Sequence, residues 1–490
     1  MRHSKTEGSG HVERTVGATS REFSVRKILP TVFALIFGML VVMMDSSVMN
    51  VAIPTLESVF QSGLKIMQWS ITGYTLALSA VIPLAGWFSD RFGAKRVFLI
   101  SIGLFMVGSV LCSIATSPAQ LITFRALQGL AGGMVAPIGI AFSFRVAPPD
   151  KRGSVMGLLG LPMLISPVLG PLLSGWLLEY ASWHWIFLIN VPIGIVALAL
   201  GLRFLPRSVD TKNPQLDIPG AIMAPFSFAA IVYGVHDGGS QGWSVPSTII
   251  PLTIGVVSLG VFIMVELRRQ MPLLELRAFQ SVEFSKGVVI VFVNWTAIFG
   301  TLFLIPLYLQ QVRGFSTFHS GLMVIPQAVL SFIGLQIGGK LFDKYGARPI
   351  VFAGLLILSA ALYWLSQIQV NTSIASLVTN LCILGLGQGL TTMQISTHVL
   401  KSAPAQLISR VTPITTSGQQ IFGSLAVAMM SGFLASNIAK HMHAVANQSK
   451  EALVSAMATG FGDTFHIALI IALCGLVLSI FLNKPRTRQG

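Results

Sequence analysis

Charged residues are scarce in this chain of 490 residues: they make up 10% of it, against about 25% in an average soluble domain. So few charges cannot build a water-facing surface, which excludes an ordinary soluble enzyme and a disordered protein. Cysteine is rarer still. Cys112, Cys382 and Cys474 stand alone inside apolar runs with no CxxC pair, which excludes a secreted disulfide scaffold. His184 and His398 have no partner at metal-ligand spacing, so no metal is expected. Gly238–Gly242 is not followed by a helix opening on Lys and Ser or Thr, as a phosphate cradle would be. No cofactor is expected. The alternating strands of a transmembrane barrel are missing too.

What the chain has in abundance is apolar length. Hydrophobic residues make up 53% of it, gathered in runs of the ~20 residues that cross a bilayer as a helix. The runs fall near Ile28–Val51, Trp69–Phe88, Val97–Ala115, Leu121–Phe144, Val155–Leu178, Trp185–Phe204 and Ile218–Val235. They continue near Thr248–Leu267, Phe284–Leu309, Ser320–Phe342, Ile350–Ser366, Ile374–His398, Thr412–Ile438 and Thr464–Leu482. The fold class expected is an all-α polytopic membrane protein with 14 transmembrane helices. Residues 1–27 are polar and basic without an apolar core, so no signal peptide is expected ahead of the first span.

An even number of spans puts both termini on one side. Of 32 Lys and Arg, only Lys65, Arg313, Lys440 and Lys450 then fall in outer loops, and Arg125 lies inside a span. The rest gather at the opposite face, which the positive-inside rule assigns to the cytoplasm. The net charge of +15 is accounted for by that bias, and no nucleic-acid partner is expected. Residues 439–463 read as the longest outer loop, either a short amphipathic helix or a cover.

One loop occurs twice. Gly86-Trp-Phe-Ser-Asp90-Arg91-Phe-Gly93-Ala-Lys95-Arg96 follows span 2, and Gly339-Lys-Leu-Phe-Asp343-Lys344-Tyr-Gly346-Ala-Arg348 follows span 10. Gly86 and Gly339, Asp90 and Asp343, and Gly93 and Gly346 share an offset of 253. A parallel repeat of this kind implies two similar bundles. The expected division is a tail (1–27), a six-helix bundle (28–206), a linker with an inserted hairpin (207–280), a second six-helix bundle (281–483) and a tail (484–490). Gly86 and Gly93 would allow close helix approach and a tight turn. Asp90 ends span 2 where a carboxylate can face another helix's N-terminus, and Pro413, early in span 13, marks a candidate partner end.

Asp45 carries the most chemistry. Of 17 acidic residues it alone lies well inside an apolar run; Glu179, near the outer end of span 5, is the nearest competitor. A carboxylate in hydrocarbon costs about 2.5–3.5 kcal/mol on insertion scales, so it should face a cavity or a partner. At 1.5 Å per residue it stands roughly 27 Å above Lys27, and Arg125 stands roughly 30 Å from Arg145 on span 4. Burial would protonate Asp45 and Arg125 would hold it charged, so access from either side could tip the balance. The competing reading is a permanent structural ion pair.

These stretches together resemble the major facilitator superfamily. The repeated loop is similar to that family's loop signature, and Arg125-Ala-Leu-Gln128-Gly129 to its span-4 motif. Ser166-Pro167-Val-Leu-Gly170-Pro171-Leu-Leu-Ser174-Gly175 resembles its antiporter motif, with Ser174 where glycine is usual. Asp45-Ser-Ser-Val-Met-Asn50-Val-Ala-Ile-Pro54 and Trp183-His184-Trp185-Ile-Phe-Leu-Ile-Asn190-Val-Pro192 resemble the fourteen-helix drug:proton antiporter branch, whose pattern usually has arginine where His184 stands. The resemblance implies two six-helix bundles around an inserted hairpin. It implies alternating access, proton coupling at Asp45 and Arg125, and a cytoplasmic gate at Gly86, Asp90, Arg91, Gly93, Lys95, Arg96, Gly339, Asp343, Gly346 and Arg348. Pro167, Gly170, Pro171 and Gly175 are the antiporter positions.

The function implied is proton-coupled export of hydrophobic or cationic drugs and toxic compounds across a bacterial cell membrane. The protein would act as a monomer among membrane lipids, with protons and a small-molecule substrate as its partners. Under the offset Asp45 maps onto Ile298, so the second bundle lacks a deep acid and should contribute neutral contacts. The expected substrate cavity is walled by Met43, Met49, Trp69, Tyr74, Gln128, Asn294, Trp295, Phe299, Gln327, Asn380 and Gln388. Two alternatives stay open: a lipid or metabolite transporter on the same scaffold, marked by a lateral opening, and a non-transporting membrane sensor.

Overall fold

The structure, a computed structural model, describes residues 25–206, 217–444 and 449–483. The expected tails lie outside the described residues, except that Val25–Lys27 already belong to the first helix. Arg207 and Lys212 of the linker lie outside them as well.

All regular structure among the described residues is helical. Fourteen helices among the described residues are long and apolar enough to cross a bilayer. Spans 1–6 are Ile28–Met49, Lys65–Phe92, Ala94–Ser113, Pro118–Val146, Arg152–Tyr180 and His184–Phe204. Spans 7 and 8 are Ile218–Gly239 and Pro246–Arg268. Spans 9–14 are Val282–Gln311, Phe318–Tyr345, Ala347–Ser366, Ile374–Lys401, Ile408–Met442 and Glu451–Ile480. Helices overrun the apolar runs at their ends because a helix continues to satisfy its backbone beyond the hydrocarbon. The largest departure is at residues 439–463. Most of that expected loop is helix, since span 13 runs on to Ala444 and the last helix begins at Lys450.

Several spans are jointed where the sequence supplies the means. Span 2 tightens into a 3-10 turn at Ile82–Leu84, where Pro83 removes a backbone donor. Span 5 is broken at Gly160 between helices Arg152–Leu159 and Leu161–Tyr180. Both copies of the repeated loop turn on a left-handed glycine, Gly93 at φ 87° and Gly346 at φ 85°. A side chain at either position would be strained, so the turn accounts for the second glycine of each copy.

Spans 1–6 pack into one bundle and spans 9–14 into another, and spans 7 and 8 form a hairpin lying against spans 2 and 13. The bundles meet directly where span 10 packs on span 5 and where span 13 packs on spans 2 and 4. Span 1 is buried on most of its circumference, from Val32 to Leu56, as a central helix is. Outer helices expose one apolar stripe: Ile100, Leu104 and Val107 on span 3, and Ile249, Val256 and Val257 on span 8. In water such stripes would be a liability; in lipid they are the required surface.

Candidate functional site

Asp45 and Arg125 meet. Arg125 Nη1 lies 2.5 Å from Asp45 Oδ2, and both side chains are 1% exposed. The other Asp45 oxygen accepts from Asn190 Nδ2 at 2.7 Å and from Gln128 Nε2 at 3.2 Å. Ser109 Oγ is shared by Gln128 (2.6 Å) and Asn190 (3.2 Å). Arg125 also donates from Nη1 to Gln128 Oε1 at 2.7 Å and from Nε to the Ser70 carbonyl at 3.3 Å. The Tyr74 ring covers the guanidinium at 4.0 Å. Spans 1, 2, 3, 4 and 6 therefore converge on a single carboxylate.

The network is possible because small residues let its members approach. A β-carbon on Gly108 of span 3 would stand 2.9 Å from that of Gln128. One on Gly129 would collide with the Tyr74 carbonyl. Asn190 opens the second segment of span 6, Asn190–Phe204, and is fully buried there. Without these donors a buried carboxylate would lose its hydration uncompensated.

The two copies of the repeated loop join the bundles in matching ways. Asp90 accepts from Ser409 Oγ (2.8 Å) and Arg410 Nε (3.2 Å) in the first turn of span 13. Asp343 accepts from Gly153 N (2.7 Å), Ser154 N (2.9 Å) and Ser154 Oγ (2.6 Å) in the first turn of span 5. Each carboxylate thus meets a helix N-terminus in the opposite bundle, where the helix dipole favours negative charge; Asp343 caps it through two amide donors, whereas Asp90 is held by side chains alone. Gly339 and Gly153 touch backbone to backbone, since a β-carbon on either would stand 2.6 Å from the other's carbonyl oxygen. One on Gly86 would collide with the Ser409 carbonyl. Arg145 Nη2 adds a bond to Ser409 Oγ at 3.0 Å. The loop end of the molecule is latched shut.

The remaining loop residues do other things. Lys95 Nζ donates to the Leu202 and Leu205 carbonyls at 2.9 and 2.6 Å, capping span 6 inside its own bundle. Arg91, Arg96 and Arg348 are exposed.

A cavity of about 40 Å³ lies between the bundles, walled by spans 5, 9, 10 and 12. Trp295, Phe299, Gln327 and Gln388 line it, as does Pro167 of the antiporter stretch. Gln327 Nε2 donates to Gln388 Oε1 at 3.1 Å, leaving Gln327 Oε1 and Gln388 Nε2 buried without partners. The space holds about three waters, so a larger guest requires the bundles to part. Gly170 faces span 1, where a β-carbon would collide with Ser47.

Other expected wall residues lie elsewhere. Tyr74 and Gln128 belong to the Asp45 network. Trp69 stacks on Tyr233 of span 7 at 5.9 Å. Asn380 donates to the Ala361 carbonyl between spans 11 and 12. Met49 is buried within the first bundle, Met43 packs half-buried, and Asn294 is buried with its Oδ1 unpaired. Glu179 is exposed beside Tyr180. Sequence reasoning missed Ser109 and Ser70, and gave Asn190 no role beyond its motif. It also missed Ser409, Arg410, Gly153 and Ser154, although Pro413 pointed to the right helix start.

Comparison with known proteins agrees with the fold. The family model described as Major Facilitator Superfamily matches residues 35–427. The Multidrug resistance protein B homolog of Mycobacterium tuberculosis is 34% identical over 85% of this chain and 78% of its own. The Lincomycin resistance protein LmrB of Listeria monocytogenes is 28% identical over 94% of this chain and 97% of its own. Among solved structures, the proton:xylose symporter XylE bound to 6-bromo-6-deoxy-D-glucose superposes with a TM-score of 0.64 at 13% identity. That match covers 94% of this chain and 97% of the other, and shows a shared fold.

Proposed function

The chain belongs to the major facilitator superfamily of transporters, and we propose that it exports hydrophobic or cationic compounds in exchange for protons. The observation that carries the proposal is the Asp45 network: the first bundle buries one carboxylate whose cationic partner has somewhere else to go. When Asp45 takes a proton, its bond to Arg125 weakens. Arg125 already has the Ser70 carbonyl, Gln128 Oε1 and the Tyr74 face within reach. The guanidinium therefore stays satisfied, and protonation becomes a change of partners instead of a stranded charge. A permanent structural pair would need no such alternatives.

In this reading the loop end faces the cytoplasm and the present state is closed there. Protonation from outside and release inside alternate with substrate binding between the bundles, where Trp295, Phe299, Gln327 and Gln388 offer an apolar wall with one free donor and one free acceptor. A membrane potential of about 100 mV contributes roughly 2.3 kcal/mol per charge, enough alone for nearly a fifty-fold gradient of a neutral substrate at one proton each. The names of the relatives, multidrug and lincomycin resistance proteins, favour drug-like cargo. The hairpin of spans 7 and 8 lies over the seam of spans 2 and 13, which argues against a lateral lipid entrance on that side. The test is export of a dye panel from proteoliposomes under an imposed pH gradient. No substrate moving against its gradient would defeat the reading.

A further inference from the structure

We infer that the base of the span 7–8 hairpin is a proton-dependent clamp on the loop-end latch, built from the carboxyl pair Asp217 and Glu266. Asp217 precedes span 7 and Glu266 sits in the last turn of span 8; they are 8% and 1% exposed. Asp217 Oδ2 and Glu266 Oε1 each lie 2.5 Å from the point where a β-carbon on Gly220 would sit, so the two acids are close neighbours. Both Asp217 oxygens and Glu266 Oε1 are buried and make no hydrogen bond among the described residues, although Arg269 Nε stands in ion-pair range of Asp217 Oδ1. Two adjacent buried carboxylates cannot both stay ionised at low cost. A single proton held between them supplies the missing donor.

The pair is joined to the latch by a continuous chain of bonds. Glu266 Oε2 accepts from Leu273 N at 2.9 Å, which folds the linker back beneath the hairpin. The next carbonyl along, that of Pro272, accepts from Arg410 Nη1 at 3.1 Å. Glu275 N donates to the Arg410 carbonyl at 3.4 Å. Arg410 is the residue whose Nε holds Asp90. Leu273 and Leu274 are buried against Phe228, Phe262 and Ile414, so the linker moves with both the hairpin and span 13.

The surrounding charges set the sign. Arg269 Nε stands 3.4 Å from Asp217 Oδ1, but its side chain is 51% exposed and offsets only part of one negative charge. Arg268 is exposed, and Arg277 is turned to the Arg269 carbonyl. Glu275 is the further acid of the linker. On span 2 Arg91 is exposed, and Asp90 pairs with Arg410 of span 13. Loss of the shared proton to the water bordering Arg269 leaves two repelling carboxylates. The starts of span 7 and the linker are then driven from the end of span 8, and Arg410 loses its Pro272 anchor. Acid holds the latch shut and base loosens it.

The experiment places spin labels at Asp150 and Gln406, exposed positions on opposite bundles at the loop end, in nanodiscs holding the full-length chain. An Asp45→Asn background removes the titration of the first-bundle site. As pH rises from about 5 to about 9 the long-distance population should grow about five-fold or more. Adding Glu266→Gln, or independently Asp217→Asn, should freeze the acid-form distribution at every pH. Two isosteric variants are used so that poor folding of one does not decide the matter. A background without any pH response, or neutral variants that respond as the background does, would overturn the clamp.

Discussion

Arg125 Nη1 and Asp45 Oδ2 are 2.5 Å apart in the interior of the first bundle, 80 positions apart in the chain and on different spans. Each is the reason the other can be buried. Neither would survive alone in the bilayer without several kcal/mol of compensation. The pair is also sealed from the cleft in this latched state.

Asp45→Asn should abolish uphill export while leaving downhill substrate exchange, because the amide mimics a permanently protonated acid. Substrate binding should lose its pH dependence in the same variant. Arg125→Ala should impair export as strongly, by leaving the acid without its cation. Glu179→Gln should change little, since that side chain is exposed. Flux assays in vesicles with and without a proton gradient separate these cases. Proton-driven accumulation by Asp45→Asn vesicles would sink the assignment.

Asp343→Ala removes three hydrogen bonds from the start of span 5 and should shift the latch by about 1–2 kcal/mol toward opening, roughly five- to thirty-fold in population. Asp343→Asn should cost less, because asparagine also caps helices well. Asp90→Asn should slow turnover more than it weakens binding, since it touches the latch and not the cavity. Distance measurements across the loop end read all three variants. Unchanged distributions for both alanine and asparagine at position 343 would mean the caps are ornamental.

Gln388→Leu removes the free donor facing the cavity and strands its partner Gln327. Export of polar or cationic members of a dye panel should fall about ten-fold, matching the loss of a buried hydrogen bond of roughly 1–2 kcal/mol, while purely apolar dyes keep their rates. Phe299→Ala should weaken both groups. A Gln388→Leu protein that loses every substrate equally would point to a folding defect instead.

Orientation can be read directly in sealed cells. Cysteines introduced at Lys65 and Ser244, both exposed, should react with an impermeant maleimide from outside, whereas cysteines at Lys95 and Lys151 should react only after lysis. Labelling of position 95 from outside would invert the topology.

Much was legible in the chain because the rules that govern it are local. The number of spans follows from the length of apolar runs, and the matched depth of Asp45 and Arg125 follows from the fixed rise of a helix. The glycines of the repeated loop were legible for the same reason: a left-handed turn and a backbone contact each tolerate almost nothing else. Latch partners were not. Asp90 sees Arg410 across 320 positions, and nothing in the residues around Arg410 marks it as facing another bundle.

The sequence by itself determined the membrane environment, the fourteen spans, the repeat and the isolated deep acid, since each depends on composition or on spacing within one helix. Tertiary structure decided which face of each helix its polar residues occupy. That rotation is set by packing against neighbours far away in the chain. It placed Asn190 and Ser109 beside Asp45, drew Tyr74 and Gln128 into the same network, and set Gln327 against Gln388. It also buried Asp217 and Glu266 together. Read singly, those two acids stand at helix ends where water is the natural neighbour; a folded linker and a neighbouring span 13 removed that water.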